Sequence, residues 1–451
     1  MWGLEVLISE GSMKIRKDAL LGIGVITMAG MAFGQATKGP AQVVKPPVSQ
    51  AWIDVATFTG FGMPGMGGGG ANPMGMMGSL FGGGQAAKNT FGNTQTSSAG
   101  RWVDVTLHTS RNPSLAEALQ AVPAGTQLAP TLKLVSPKIE KAAPAPHDES
   151  VVPHEYERPK GKMYLYWGCG EAVRAGQPRV LDMATAKPED FGKFFTSRRA
   201  TQRGAHSAAG RPLWPNEADS RMVPPAASLV GEHAFSGQGV PDGFKFGIPA
   251  AQDLMPEIAL KQSDVGGSTL LEWAVLPTAR AYFIAAMGAK GGMAGGSDAE
   301  MVFWTSSEVP ELGSGLIDYQ TNPAVDRWLQ EKVLLQPGVT RCAVPKGIFG
   351  EGGGAMLRMI AYGSELNLAH PPRPTDPKIA WEPQWAVKVR VKSVANAMLG
   401  MDMSEMQRGS RGRAQPQAPS EQPSTPPPAG EKKQEEKLPD PVNILKGIFG
   451  R

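Results

Sequence analysis

Five methionines, Met63, Met66, Met74, Met76 and Met77, stand in a Gly-rich run from Phe61 to Gly84. Thioether sulfur is a soft, neutral donor that selects Cu(I), so this cluster is a candidate ligand set for that ion. The same unbranched side chains adapt to irregular apolar surfaces, and the run also reads as a long loop that fits itself to a partner or to another copy of the chain. Met287 and Met293 stand in a second Gly-rich stretch, read as a loop between two strands.

Other chemistries find less support. His147, Asp148, Glu149, His154 and Glu155 are of metal-ligating types, but they lie in a spacer-like stretch with nothing rigid to orient them. Arg198, Arg199, Arg203 and Arg211 form a basic stretch that could meet the phosphates of lipopolysaccharide or an acidic protein, or simply face water. Gly313-Ser314-Gly315 lacks the five-residue elbow of serine hydrolases, and none of the six histidines stands in a recognisable relation to it. No Gly-x-Gly-x-x-Gly opens a helix, and no lysine is placed for a phosphate. The reading therefore assigns no catalytic residue and no cofactor, and expects a protein that is not an enzyme. The two cysteines, Cys169 and Cys342, could form a disulfide in an oxidising compartment or remain two separate buried thiols.

Such a compartment is implied by the start of the chain. Met13-Lys14-Ile15-Arg16-Lys17 precedes an apolar run from Ala19 to Phe33 and small residues near Gly34 and Ala36, the layout of an export signal over residues 1–34 with Met13 as the true start. The mature protein is expected in the periplasm or at the cell surface. No second apolar run of about 20 residues is present to span a bilayer, and no cysteine stands at the cleavage site to carry a lipid anchor. A formal net charge of +4 points to neither nucleic acid nor an acidic surface as partner.

The elements that would position these residues are mainly strands. Trp385 to Lys392 alternates Trp and Val with Lys and Arg, the period of a strand with its basic side facing water. Arg101 to His108 and Met163 to Trp167 alternate similarly, while Ala281 to Met287 and Met301 to Trp304 are apolar throughout, as central strands are. Trp52-Ile53-Asp54-Val55 and Trp102-Val103-Asp104-Val105 are near copies, readable as paired strands of one sheet. Two short helices are expected after Asn112-Pro113 and Asn322-Pro323, each with a capping residue before a proline and apolar spacing beyond it.

Chain length and composition suggest two or three β-sandwich-like domains with long Gly/Met-rich loops, few short helices and a disordered C-terminal tail. The expected division is an N-terminal β domain at 35–136 with a Gly/Met-rich insertion at 57–100, a linker at 137–161, and an irregular β-containing region at 162–262. A β domain at 263–400 follows, then a disordered linker at 401–438 and a docking segment at 439–451. That last segment carries Ile444, Leu445, Ile448 and Phe449 beside basic residues, and these four are the expected partner-binding side chains. Lys446 to Gly450 also repeats Lys346-Gly347-Ile348-Phe349-Gly350.

Thr269 to Trp273, followed by Ala279 to Ile284, resembles the second and third strands of fibronectin type III and similar immunoglobulin-like sandwiches, and Trp385 to Val394 resembles a later strand of that family. The resemblance implies a sandwich that mediates binding or spacing. The expected function is an exported, non-catalytic structural or binding component of an envelope assembly, whose partners are envelope or surface proteins or the chain itself as a homo-oligomer. The alternative is a periplasmic copper-binding protein or a periplasmic enzyme.

Overall fold

Val387, Val389 and Val391 alternate with Lys388, Arg390 and Lys392 in β17 (Trp385–Leu399), so successive side chains point to opposite faces of a sheet. The computed structural model describes residues 42–60, 89–96, 98–138, 161–200, 204–290, 300–350 and 354–399. The expected export signal, residues 139–160 of the linker expected at 137–161, the tail at 401–438 and the docking segment at 439–451 lie outside the described residues.

The protein is mainly β. β17 is flanked by β1 (Ser49–Thr59), which runs parallel to it, and by β15 (Ala355–Tyr362), which runs antiparallel. Outward from β15 follow β12 (Ala281–Lys290), β13 (Glu300–Thr305), β5 (Lys162–Trp167) and β6 (Arg179–Asp182). Outward from β1 follow β2 (Gly100–Thr109), β7 (Leu213–Trp214), β4 (Thr131–Val135), β3 (Glu117–Ala121), β8 (Gly231–Ser236) and β9 (Lys245–Ile248). With β16 (Leu366–His370) on the first half of β17, these make a 14-stranded sheet. A second sheet of three strands orders β10 (Lys261–Val265), β11 (Ser268–Glu272) and β14 (Arg341–Val344). Strands from 35–136, 162–262 and 263–400 thus share one sheet. β1 and β2, which carry the near-copied tetrapeptides, are antiparallel neighbours with Asp54 opposite Asp104.

The sheet is too twisted and too long to stay open. Phe244, beside the edge strand β9, stacks on Trp385 of central β17 at 4.8 Å, which requires the β7–β9 end to curl back over one face. That inner face buries Ile53, Val105, Ile284, Leu357, Val389 and Ile248 in one core. The three-stranded sheet closes the same core through Leu271, and Trp273 lies edge-on to Tyr282 at 5.6 Å. The outer face packs Phe58, Trp102, Phe283 and Ile360 against Trp328 of α2 (Asn322–Gln330), and Leu165 and Leu181 against Phe194 of α1 (Pro188–Phe194). Each such side chain, wholly buried, stabilises the fold by roughly 1.5–3 kcal/mol.

Several details differ from the pattern-based expectation. The segment after Asn112-Pro113 makes a turn, with Leu115 N donating to Asn112 O, and then enters β3 rather than a helix. Pairing with β4 and β8 on both sides satisfies its backbone, and the two-residue period buries Ala118 and Gln120 while leaving Leu119 exposed. The second helix forms, but its N-cap is Thr321; the Asn322 side chain instead donates from Nδ2 to Glu365 O and accepts at Oδ1 from Glu365 N. Met287 belongs to β12, not to a loop. Arg390 and Lys392 do not face water: they are 6% and 1% exposed, because the outer face is covered and supplies acidic partners. Of the strands that carry the fibronectin-like pattern, β11 lies in the small sheet, and β12 and β17 lie in the large one with β15 between them.

Candidate functional site

Seven strand ends meet at one end of the large sheet. The register pairs Phe58 with Gly100, Gly288 with Ala355, Ala355 with Leu399, Lys290 with Glu300, and Met301 with Met163. Consequently β1, β12 and β17 finish here, while β2, β5, β13 and β15 begin here. The sequence stretches 61–88, 291–299, 351–353 and 400–451 attach at this end, and 139–160 rejoins the sheet here. β1 leaves it through Gly60 (φ 85), whose position against the Asn396 carbonyl would place an added Cβ 1.8 Å from that oxygen. Only glycine fits there.

The same end carries a row of methionines on the outer face. Met398 pairs with Met356, and Met356 with Met287, on three adjacent strands. Met301 follows on the next strand, two residues from Phe303, which pairs with Met287; Met163 pairs with Met301. Cross-strand partners point to the same face, so all five share it. Met356 is 5% exposed and the other four are half-buried.

Deeper on the outer face lies a second constellation, a buried network of charge. Arg390 donates to both carboxylate oxygens of Asp54 at 2.7 and 2.6 Å, and Ala205 N donates to the same carboxylate at 3.0 Å. Lys392 donates to Asp318, and its ammonium stands 4.1 Å from the centre of the Tyr319 ring, which Arg390 also covers at 4.3 Å. The Tyr319 hydroxyl donates to Val55 O at 2.9 Å. Asp104 accepts from Gly92 N at 3.0 Å, from Thr94 N at 3.2 Å and from the Thr94 hydroxyl. Gly204 closes the network, since a Cβ there would fall 1.7 Å from the Arg390 guanidinium.

Burial and pairing pull these groups in different directions. Burial raises the Asp104 pKa to about 7, against the lowering effect of its donors and with help from the facing Asp54. Burial lowers Lys392 to about 8 despite Asp318. For Asp318 burial acts upward, but Lys392 and Arg390 outweigh it and hold the carboxyl below its ordinary value. Burial also brings Arg358 down to about 10. A near-neutral amine and carboxyl are attributes of proton-transfer groups. Here, however, the amine is held by Asp318 and the Asp104 oxygens by Gly92 and Thr94, and Lys392 is 1% exposed. The arrangement locks β1, β2 and β17 to the loops above them.

On the inner face a narrow cavity is lined mainly by apolar residues, with Gln120, Thr126 and His233 as its polar members. His233 Nε2–H donates to Leu229 O at 2.8 Å, leaving Nδ1 to accept from the Gln120 amide at 3.2 Å. Burial lowers the His233 pKa and keeps the ring neutral.

The residues singled out from the sequence fall in different places. Met63, Met66, Met74, Met76 and Met77, the His147–Glu155 group, Met293 and Arg203 lie outside the described residues, as do Ile444, Leu445, Ile448 and Phe449. Cys169 and Cys342 are bonded to each other and tie the turn after β5 to β14 of the small sheet. Of the basic stretch, Arg198 pairs with Glu311 and Glu331, Arg211 stacks over Trp52 at 5.3 Å while donating to His206, and Arg199 is exposed. Gly313 and Gly315 shape a turn that binds Glu311 and Ser197 through their backbone amides. Sequence reasoning missed the Asp54–Arg390 and Asp318–Lys392 pairs. A carboxylate inside each apolar tetrapeptide, Asp54 and Asp104, was the available signal, because a buried acid requires a partner. Compared with known proteins, the chain matches no protein-family model and no curated protein sequence.

Proposed function

We propose that this protein is an exported, non-catalytic structural or binding component of a periplasmic or cell-surface assembly, and that it makes its contacts at the methionine-bearing end of the large sheet. The observation that carries this reading is the convergence of strand ends. The strands that precede the Gly/Met-rich stretch 61–88, the Gly-rich stretch 291–299 and the C-terminal 400–451 all finish at one end of the sheet, so the sequences suited to contact leave it at the same end.

The repeated pentapeptide supports a docking role for the C-terminus. In its described copy, Gly347 (φ 74) and Gly350 (φ 75) make a tight turn that buries Ile348 and Phe349 in the inner core. Lys446 to Gly450 has the same five residues, so Ile448 and Phe449 can enter an apolar slot on a partner in the same way. A segment this short is marginal as a structure of its own in water, and the tether raises its effective concentration at an assembly.

The test is the native mass of the protein extracted gently from its own cells, with an affinity tag inserted within residues 415–430 so that the C-terminus stays free. A high-mass species with stoichiometric partners, lost on deletion of 439–451, supports the reading. A monomer of the mature chain's mass rules it out. The alternative function, a soft-metal binder, is favoured by a separate observation, the methionine row.

A further inference from the structure

The methionine row lies within strands, close to one end of the sheet, at positions where β-branched and aromatic residues are the usual choice. Leu357, Ile360, Val389 and Val394 fill other positions on the same two strands, β15 and β17. Only at the outermost level of the outer face do three adjacent strands all present thioethers, Met287, Met356 and Met398. Neighbouring strands are about 4.8 Å apart, and each methionine has three rotatable bonds. Three sulfurs from one level of the sheet can therefore converge on one point above Met356.

We propose that Met287, Met356 and Met398 form a binding site for a single soft monovalent metal ion, Cu(I) or its analogue Ag(I). Thioethers are soft and uncharged, which suits Cu(I) and gives no advantage to hard cations. The site stands on strands rather than loops, so the backbone holds the three sulfur-bearing side chains in register. It does not depend on the partner reading above, and purified protein tests it alone.

The experiment is an anaerobic competition titration of the purified full chain with Cu(I) under ascorbate, against a chromophoric Cu(I) chelator, repeated with Ag(I) as a probe without redox chemistry. One tight equivalent per chain with an all-sulfur shell by X-ray absorption is expected. Leucine conserves methionine's volume, so M287L/M356L/M398L should keep its thermal transition and lose that equivalent. M356L alone should weaken binding by about tenfold or more, since even changes one shell further out cost that much. Replacing Met63, Met66, Met74, Met76 and Met77 by leucine should leave the equivalent in place. The proposal is overturned if the full chain binds no Cu(I), if M356L and the triple variant bind as tightly as the parent, or if the five-leucine variant loses the ion.

Discussion

Lys392 and Asp104 show how far a residue's surroundings decide its chemistry. Lys392 occupies the solvent phase of a regular alternation, yet the fold buries it against Asp318 and the Tyr319 ring. Removing one member of such a pair leaves the other charge uncompensated in the interior, so Lys392→Met should destabilise by about 3–5 kcal/mol in urea unfolding. Adding Asp318→Asn to it should restore much of the loss, and strict additivity of the two changes would show that the pair is not coupled. Asp104 predicts a pH dependence. Its folded pKa of about 7 lies above the ordinary 3.8, so between those values the folded chain holds a proton that the unfolded chain releases. Stability from this group is therefore full below about pH 4, falls as pH rises, and is gone above about 7, with at most about 4 kcal/mol involved. Asp104→Asn should accordingly compare better with the parent at pH 8 than at pH 5. An unchanged difference between the two pH values would contradict the assignment.

At the level of elements, the disulfide carries a cross-link that hydrogen bonding supplies only in part. The small sheet meets the large one through side-chain packing, and Cys169–Cys342 joins the turn after β5 to β14 across 173 residues of sequence. Closing a loop of that length in the unfolded chain stabilises by about 5 kcal/mol in the chain-entropy account. Cys169→Ser with Cys342→Ser should lower the denaturation midpoint markedly, and a reductant should do the same to the parent while leaving the double variant unaffected. Equal midpoints for parent and double variant would show that the sheets hold together without the bond. β3 makes the complementary point. Its apolar spacing fits a helix as well as a strand, and pairing on both edges with β4 and β8 decided for the strand.

For the whole molecule, one sheet unites strands from widely separated parts of the chain, and its curl creates an inner core while its outer face is closed by helices and loops. This organisation separates the fold from the proposed contact end. Deleting 439–451 should therefore leave the thermal transition of the chain unchanged and abolish co-purification of partners. A lowered transition would mean that the segment stabilises its own chain instead.

Much of the strand content is legible in local pattern, because a period of two along Trp385–Lys392 or Arg101–His108 follows from backbone geometry alone. The paired tetrapeptides around Asp54 and Asp104 even identify two neighbours in the sheet. What local pattern could not supply is whether a strand has one covered face or two. A basic alternation reads as water-facing until loops and a helix from residues 306–330 are laid over it, which is a long-range event with no signature in the strand itself. The methionine row has the same origin. Met163, Met287, Met301, Met356 and Met398 are scattered across 236 positions of sequence and become neighbours only through the order and register of five strands. Composition and periodicity determined that this chain would be built of strands; hydrogen-bonded pairing between distant segments alone decided which side chains face one another.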